Sequence, residues 1–123
     1  LEAEKCVLGA ILLHNDTFKE VKDALRADDF FSEKHRRIFW AMCAVDLSGL
    51  AIDFVTIKES LARAGDLDKA GGPAYLASLV DGVPRSTPAE YYVRIVKEKS
   101  TLRNLIASAN KILKDAYDAD SVA

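Results

Sequence analysis

After Pro88 neither glycine nor proline occurs as far as about residue 117. Such a stretch gives the backbone no left-handed turn and no missing donor, so a helix can run through it unless its apolar face fails. Leu102, Leu105, Ala109, Ile112 and Ala116 follow one another at spacings of 3, 4, 3 and 4. That is a heptad-like seam along one side of a helix, and Ile106, Leu113 and Tyr117 widen it. Upstream, Lys99 falls where the same spacing wants an apolar residue. The pattern therefore predicts a kink or break near 98–101, dividing the chain into a helical head, 1–100, and an arm, 101–123. A final helix that is apolar beyond a narrow seam has to pack on something: the head, another copy, or a partner helix.

Ahead of Pro88 the apolar period is helical almost throughout. Ala3, Val7, Ala10 and Ile11 define a first helix over about 2–13. HND, 14–16, turns the chain. Thr17 and Glu20 have capping-box spacing for a second helix, whose stripe is Phe18, Val21, Ala24 and Leu25. DDFFS interrupts, and Ser32 is placed to cap a third helix with the stripe Ile38, Phe39, Met42 and Val45. Gly49 ends that helix as a left-handed stop. Asp53 is placed to cap a fourth, with Phe54, Ile57, Leu61 and Ala64 as its stripe and Gly65 as its stop. In the polar loop 65–72, Leu67 reads as a plug. GGPAYL, 71–76, then launches a fifth helix at Pro73, which suits a first helical position. Its buried side should carry Tyr75, Leu76, Leu79 and Val80. After GVPRSTP, the set Thr87, Pro88 and Glu90 reads as the capping box of the next helix.

The chemistry this chain can carry is bounded by what it lacks. Its 123 residues suit one domain, and a formal net charge of −2 does not make nucleic acid the main partner. Cys6 and Cys43 lie in apolar periodic segments without CxxC spacing, and read as buried free thiols, with a disulfide or metal site as the alternative. No GxxxxGK[ST] loop and no GxGxxG is present; GDLDKAGG lacks the Gly-Lys-Ser/Thr ending that holds phosphates and Mg²⁺. His14 and His35 are not spaced as zinc ligands, and His35, in SEKHRR, reads as an exposed helix residue. The pairs Asp28 with Asp29 and Asp66 with Asp68 read as caps and solvated loops. Lys34, Arg36 and Arg37, and again Arg94, Lys97, Lys99 and Arg103, lie beside acids and read as solvated faces, with phosphate contact as the alternative. Tyr91 and Tyr92 are the nearby aromatics, at least one of them expected in the core. No catalytic residues and no metal site emerge. No apolar run approaches the roughly 20 residues of a membrane span. The chain opens LEAEKC without an initiator Met, so we expect a segment of a larger protein.

Taken in order, EAEKCVLGAILL, DDFFSEKHRRIFWAM, IDFVTIKESLARAGDLDKAGGPAYLASLVDGVP and EYYVRIVKEKSTLRNLI resemble the N-terminal domain of the DnaB-type replicative DNA helicase. The likeness spans about residues 2–117, and its specificity lies in the order and spacing of the pieces. The resemblance implies an all-α fold: a compact multi-helix head followed by a long helix that is the first arm of a helical hairpin. It implies that hairpins of two subunits pack together and that such dimers build the collar of a hexameric ring. It also implies docking of the primase C-terminal domain on that collar. ATP and Mg²⁺ would belong to a separate motor domain, which would also make the main contact with DNA, so this segment itself would need no cofactor.

On this sequence the resemblance assigns self-association to Leu102, Leu105, Ile106, Ala109, Ile112 and Leu113. It marks Asp53 and Tyr75 as candidate primase or collar contacts, each with a rival reading: Asp53 as a helix cap, Tyr75 as core. A cytoplasmic, membrane-free protein is expected. With the sequence ending soon after Tyr117, the second arm of the hairpin is expected to be absent. The alternative reading is a helicase-binding domain of a primase or of a helicase loader.

Overall fold

The computed structural model describes residues 1–84 and 87–122, with side chains as far as residue 120. Arg85 and Ser86 of the predicted GVPRSTP loop, and Ala123 of the arm, lie outside the described residues. Six α-helices and one 3₁₀ turn are formed and no strand is found among the described residues. The helices are α1 (Glu2–Leu13), α2 (Thr17–Ala24), α3 (Glu33–Leu47), α4 (Phe54–Arg63), α5 (Gly72–Asp81) and α6 (Ala89–Val122); the 3₁₀ turn is Ala27–Asp29.

The head is organised around α1. Every residue from Cys6 to Leu12 is buried, because α2, α3, α5 and α6 all pack on this helix. A helix enclosed in this way is apolar on all sides, which explains why CVLGAILL shows so little amphipathic contrast. Gly9 is fixed by the closest of these approaches: a Cβ there would fall on the Leu79 carbonyl oxygen and the Val83 side chain. Below α1, Phe39 bridges Phe18 and Phe30 at ring-centre distances of 5.7 and 5.1 Å. Such tilted pairs add modestly to the area they bury.

The predicted punctuation holds where it rests on glycine. Gly49 and Gly65 follow α3 and α4 with φ of +79° and +75°, values that L side chains avoid. Four local predictions shift. Thr17 is the first residue of α2 rather than its cap; Asp16 stands at the cap without a side-chain bond. Ser32 does stand at the cap of α3, but its hydroxyl makes no capping bond; the Glu4 carboxylate instead takes the N–H groups of Phe31 and Ser32. Left-handed Gly71 precedes α5, which starts at Gly72 and takes Pro73 into its first turn. α6 starts at Ala89, one residue past the predicted Pro88.

The predicted break near 98–101 is absent, and α6 runs continuously for 34 residues, about 50 Å of helix. Only the part up to Arg103 rests on the head. Val96 and Ser100 turn inward and are buried, whereas Lys99 stays exposed at the edge of the groove between α6 and the start of α1. A charged residue on an unpacked side of a helix breaks nothing, so the interruption in the apolar pattern did not interrupt the backbone.

Candidate interaction site

The root of α6 is pinned by Asp29, at the end of the 3₁₀ turn. Its carboxylate accepts hydrogen bonds from the Arg26 N–H at 2.8 Å and the Ser100 hydroxyl at 2.6 Å, with Lys97 Nζ 3.4 Å away. Its own carbonyl accepts from Arg103 at 2.8 Å. Burial alone would raise the Asp29 pKa; the bonds from Ser100 and Arg26 and the charge of Lys97 outweigh it and hold the carboxyl below its ordinary value. Asp29 therefore caps the 3₁₀ turn, as its residue type predicted, but it is a buried tie between head and arm and not a solvated acid. Lys97 and Arg103 are engaged with the head as well, and only part of that basic cluster is a solvated face. In the other basic cluster, Arg36 caps the Phe30 and Phe31 carbonyls and Arg37 pairs with Asp66 and Glu33.

Beyond Arg103 every described residue of α6 is exposed. The predicted seam is therefore an open apolar face. Leu105 is 64% exposed, Ile112 68%, and Leu102, Ile106 and Leu113 each more than half. Ala109 lies among them. All six predicted self-association residues thus share one solvent-facing side of a helix roughly 30 Å long past its root. Large apolar side chains on a common stripe differ from the scattered exposed leucines of ordinary surfaces. At the base of this face, a cavity of about 630 Å³ opens between the start of α1 and α6, with Cys6, Phe31, Tyr92 and Ile95 in its walls.

The second predicted site residue, Tyr75, is half-buried on α5 and ends a chain of hydrogen bonds. Its hydroxyl lies 2.6 Å from His35 Nε2, and His35 Nδ1 lies 2.7 Å from Glu4 Oε1. One tautomer satisfies every group: Nδ1–H donates to the carboxylate, and the tyrosine hydroxyl donates to Nε2. The chain crosses α1, α3 and α5. His35 is 1% exposed, which overturns the prediction of an exposed helix residue. The missed signal is positional: His35 stands three, four and seven residues before Ile38, Phe39 and Met42, on the apolar stripe itself. Burial pushes the Glu4 pKa upward; the bonds from His35, Phe31 and Ser32 prevail and lower it. Tyr75 is raised, first by burial and then by Glu4 and Glu2, against an opposing effect of Lys5. Lys34 Nζ stands 5.1 Å from the centre of the Tyr75 ring.

Asp53 is exposed and caps α4. Its carboxylate accepts from the Thr56 N–H at 2.9 Å, and its own N–H donates to the Thr56 hydroxyl at 2.9 Å. Asp53 and Tyr75 therefore sit in separate local networks, and neither belongs to the α6 face. Of the thiols, Cys6 is buried and Cys43 half-buried, and both are free. No helix among the described residues is long and apolar enough to cross a membrane.

An all-helical head with a long projecting helix is an arrangement that can be compared with known proteins. The DnaB-like helicase N-terminal domain family matches residues 1–98. This chain belongs to that family. Among replicative helicases, DnaB of Geobacillus stearothermophilus is 42% identical over 95% of this chain and 26% of its own length. DnaC of Bacillus subtilis is 39% identical, with the same coverage. The chain thus spans about a quarter of the length of these relatives. In three dimensions the N-terminal domain of Mycobacterium tuberculosis DnaB helicase superposes with a TM-score of 0.94 at 36% identity, over 100% of this chain and 88% of that one. The N-terminal domain of Helicobacter pylori DnaB helicase, described together with its interactions with primase, gives 0.80 at 26% identity over 94% and 90%. A DnaB-like replicative helicase, also described with its interactions with primase, gives 0.81 at 32% identity over 94% of this chain and 27% of that one. The Mycobacterium tuberculosis domain thus covers the whole of this chain, arm included. The alternative family, a helicase-binding domain from a primase or loader, is set aside.

Proposed function

We propose that this DnaB-like N-terminal domain is the assembly and docking module of a hexameric replicative DNA helicase. It joins subunits into the ring collar through α6 and offers the head to the primase C-terminal domain. ATP hydrolysis with Mg²⁺, and the main grip on DNA, belong to a motor domain elsewhere in the parent protein, which works in the cytoplasm. The observation that carries the reading is the open apolar face of α6. Five leucine and isoleucine side chains in water gain free energy by being covered, at roughly 25 cal/mol per Å² of apolar surface. Among the described residues nothing on the head covers them, which supports a second surface as their cover. The primase part rests on kinship with helicases described together with primase, and Asp53 and Tyr75 are the residues proposed for that contact.

Light scattering over a wide concentration range tests the assembly part. The chain should form dimers or larger species as concentration rises. Leu105→Glu places a carboxylate inside the contact and should weaken association by about thirty-fold or more. An oligomer whose mass ignores Leu105→Glu would put the contact elsewhere.

A further inference from the structure

The cavity at the root of α6 has a pattern that the seam beyond it does not explain. Tyr92, Val96, Lys99 and Arg103 all line it. Their spacings of 4, 3 and 4 place them on one stripe of the helix. The stripe changes character half-way: Tyr92 and Val96 offer apolar surface, and Lys99 and Arg103 are cations. Lys99 is the residue whose charge interrupts the apolar period of the sequence. Ala3 and Cys6 of α1 and the side chain of Phe31 complete the walls.

These walls are held in place by the protein itself. The Phe31 N–H donates to Glu4 at 2.7 Å. The Arg103 guanidinium stands 5.3 Å from the centre of the Phe31 ring, within cation–π range. The Ser100 hydroxyl fixes α6 against Asp29 at 2.6 Å. Phe31 is nevertheless 59% exposed. A pre-formed space of about 630 Å³ with apolar walls and a few charged groups at one end has the size and make-up of a small-molecule site. Covering its walls is favourable.

Charge decides which kind of molecule fits. The acids near the cavity are already engaged. Glu2 pairs with Lys5 at 3.4 Å. Glu4 accepts from Phe31, Ser32 and His35, and Asp29 from Arg26, Ser100 and Lys97. The two cations are not matched in this way. Among the described residues no carboxylate pairs with Lys99 or Arg103. Arg103 directs one N–H at the Asp29 carbonyl, and a guanidinium has five.

We propose that this cavity binds a small amphipathic carboxylic acid. Its alkyl or aryl body lies between α1 and the Tyr92–Val96 side of α6, and its carboxylate meets Lys99 and Arg103 at the mouth. The site uses none of the six self-association residues, so its test stands apart from theirs.

Octanoate is the probe and octanol its neutral counterpart. Each is titrated into the dilute 123-residue chain at low salt, with amide NMR shifts reporting the site and circular dichroism the fold. Octanoate should saturate with a dissociation constant of about 1 mM or below, moving amides at the start of α1 and over 92–103. Octanol should bind about five-fold more weakly or worse. Lys99→Glu leaves the core untouched. It should weaken octanoate by about five-fold or more and leave octanol within about two-fold. Ala3→Leu narrows the cavity and should weaken both. Octanoate that never saturates, that binds no better than octanol, or that ignores Lys99→Glu would overturn the proposal. So would shifts spread along α6 beyond Arg103, the sign of unspecific coating. Loss of the octanoate site once the chain is concentrated enough to associate would show that a second copy covers the cavity, and would overturn it too.

Discussion

Glu4 shows what a single residue settles here. A carboxylate on a helix enclosed by apolar neighbours costs several kcal/mol unless its oxygens are bonded. This one takes the Phe31 and Ser32 N–H groups and the His35 ring. It thereby ties the start of α1 to the start of α3, and through His35 to Tyr75 on α5. Glu4 and Asp29 both titrate below their ordinary values, near 4.5 and 3.8 respectively. A carboxyl depressed in the folded state adds stability that is complete above its unfolded pKa and is lost as pH falls through the folded one. The urea midpoint should therefore be flat from pH 7 to 5 and fall below about pH 4.5. Glu4→Gln should cost about 1–3 kcal/mol at pH 7 and make the acid fall shallower; an unchanged acid slope would refute the role given to Glu4. None of this was legible from the residue types. Acids in EAEK and a histidine in SEKHRR resemble surface residues, and only their phase against Val7, Ile11, Ile38 and Phe39 betrays them.

At the scale of elements, the stops were legible and the continuities were not. Gly49, Gly65 and Gly71 stop or start helices through a backbone angle that belongs to the residue itself, so a single sequence displays them. The break predicted at Lys99 was an inference about packing. It assumed that the apolar side of α6 must stay apolar along its length, whereas the helix changes neighbours: Val96 and Ser100 face the head, and the seam from Leu102 onward faces away. That division predicts two behaviours in one helix. An isolated stretch of about twenty residues is marginal as a helix in water, and beyond Arg103 intrahelical bonds and i,i+4 pairs such as Lys111 with Asp115 support it. Amide exchange in dilute solution should be slow to about residue 103 and fast beyond it. Concentrating the protein should slow the outer segment and leave the root unchanged. Uniform protection in the dilute monomer would mean that the outer helix needs no partner.

For the molecule as a whole, the head and the α6 face use different residues, and the two proposed tasks should separate. Primase contact was the least legible part of the sequence, because Asp53 and Tyr75 each have a structural duty that explains them without a partner. Alanine scanning would confuse the two roles. Asp53→Ala removes the cap of α4 and costs about 1 kcal/mol whether or not the carboxylate touches primase. Asp53→Ser keeps a capping oxygen and removes only the charge. Tyr75→Phe keeps the ring and removes only the hydroxyl that reaches His35. If Asp53 contacts primase through its charge, Asp53→Ser should fold like the parent chain and keep its mass in solution. It should nevertheless weaken binding to the primase C-terminal domain by about five-fold or more, as for the loss of one charge-assisted hydrogen bond, measured by titration calorimetry. If Asp53 is only a cap, Asp53→Ser should bind as the parent does, and Asp53→Ala should lose affinity only so far as it loses stability. Because Leu105 lies on neither network, Leu105→Glu combined with Asp53→Ser should lose association as Leu105→Glu does alone and primase affinity as Asp53→Ser does alone. A strong coupling between them would mean instead that primase reads the assembled collar across the subunit boundary.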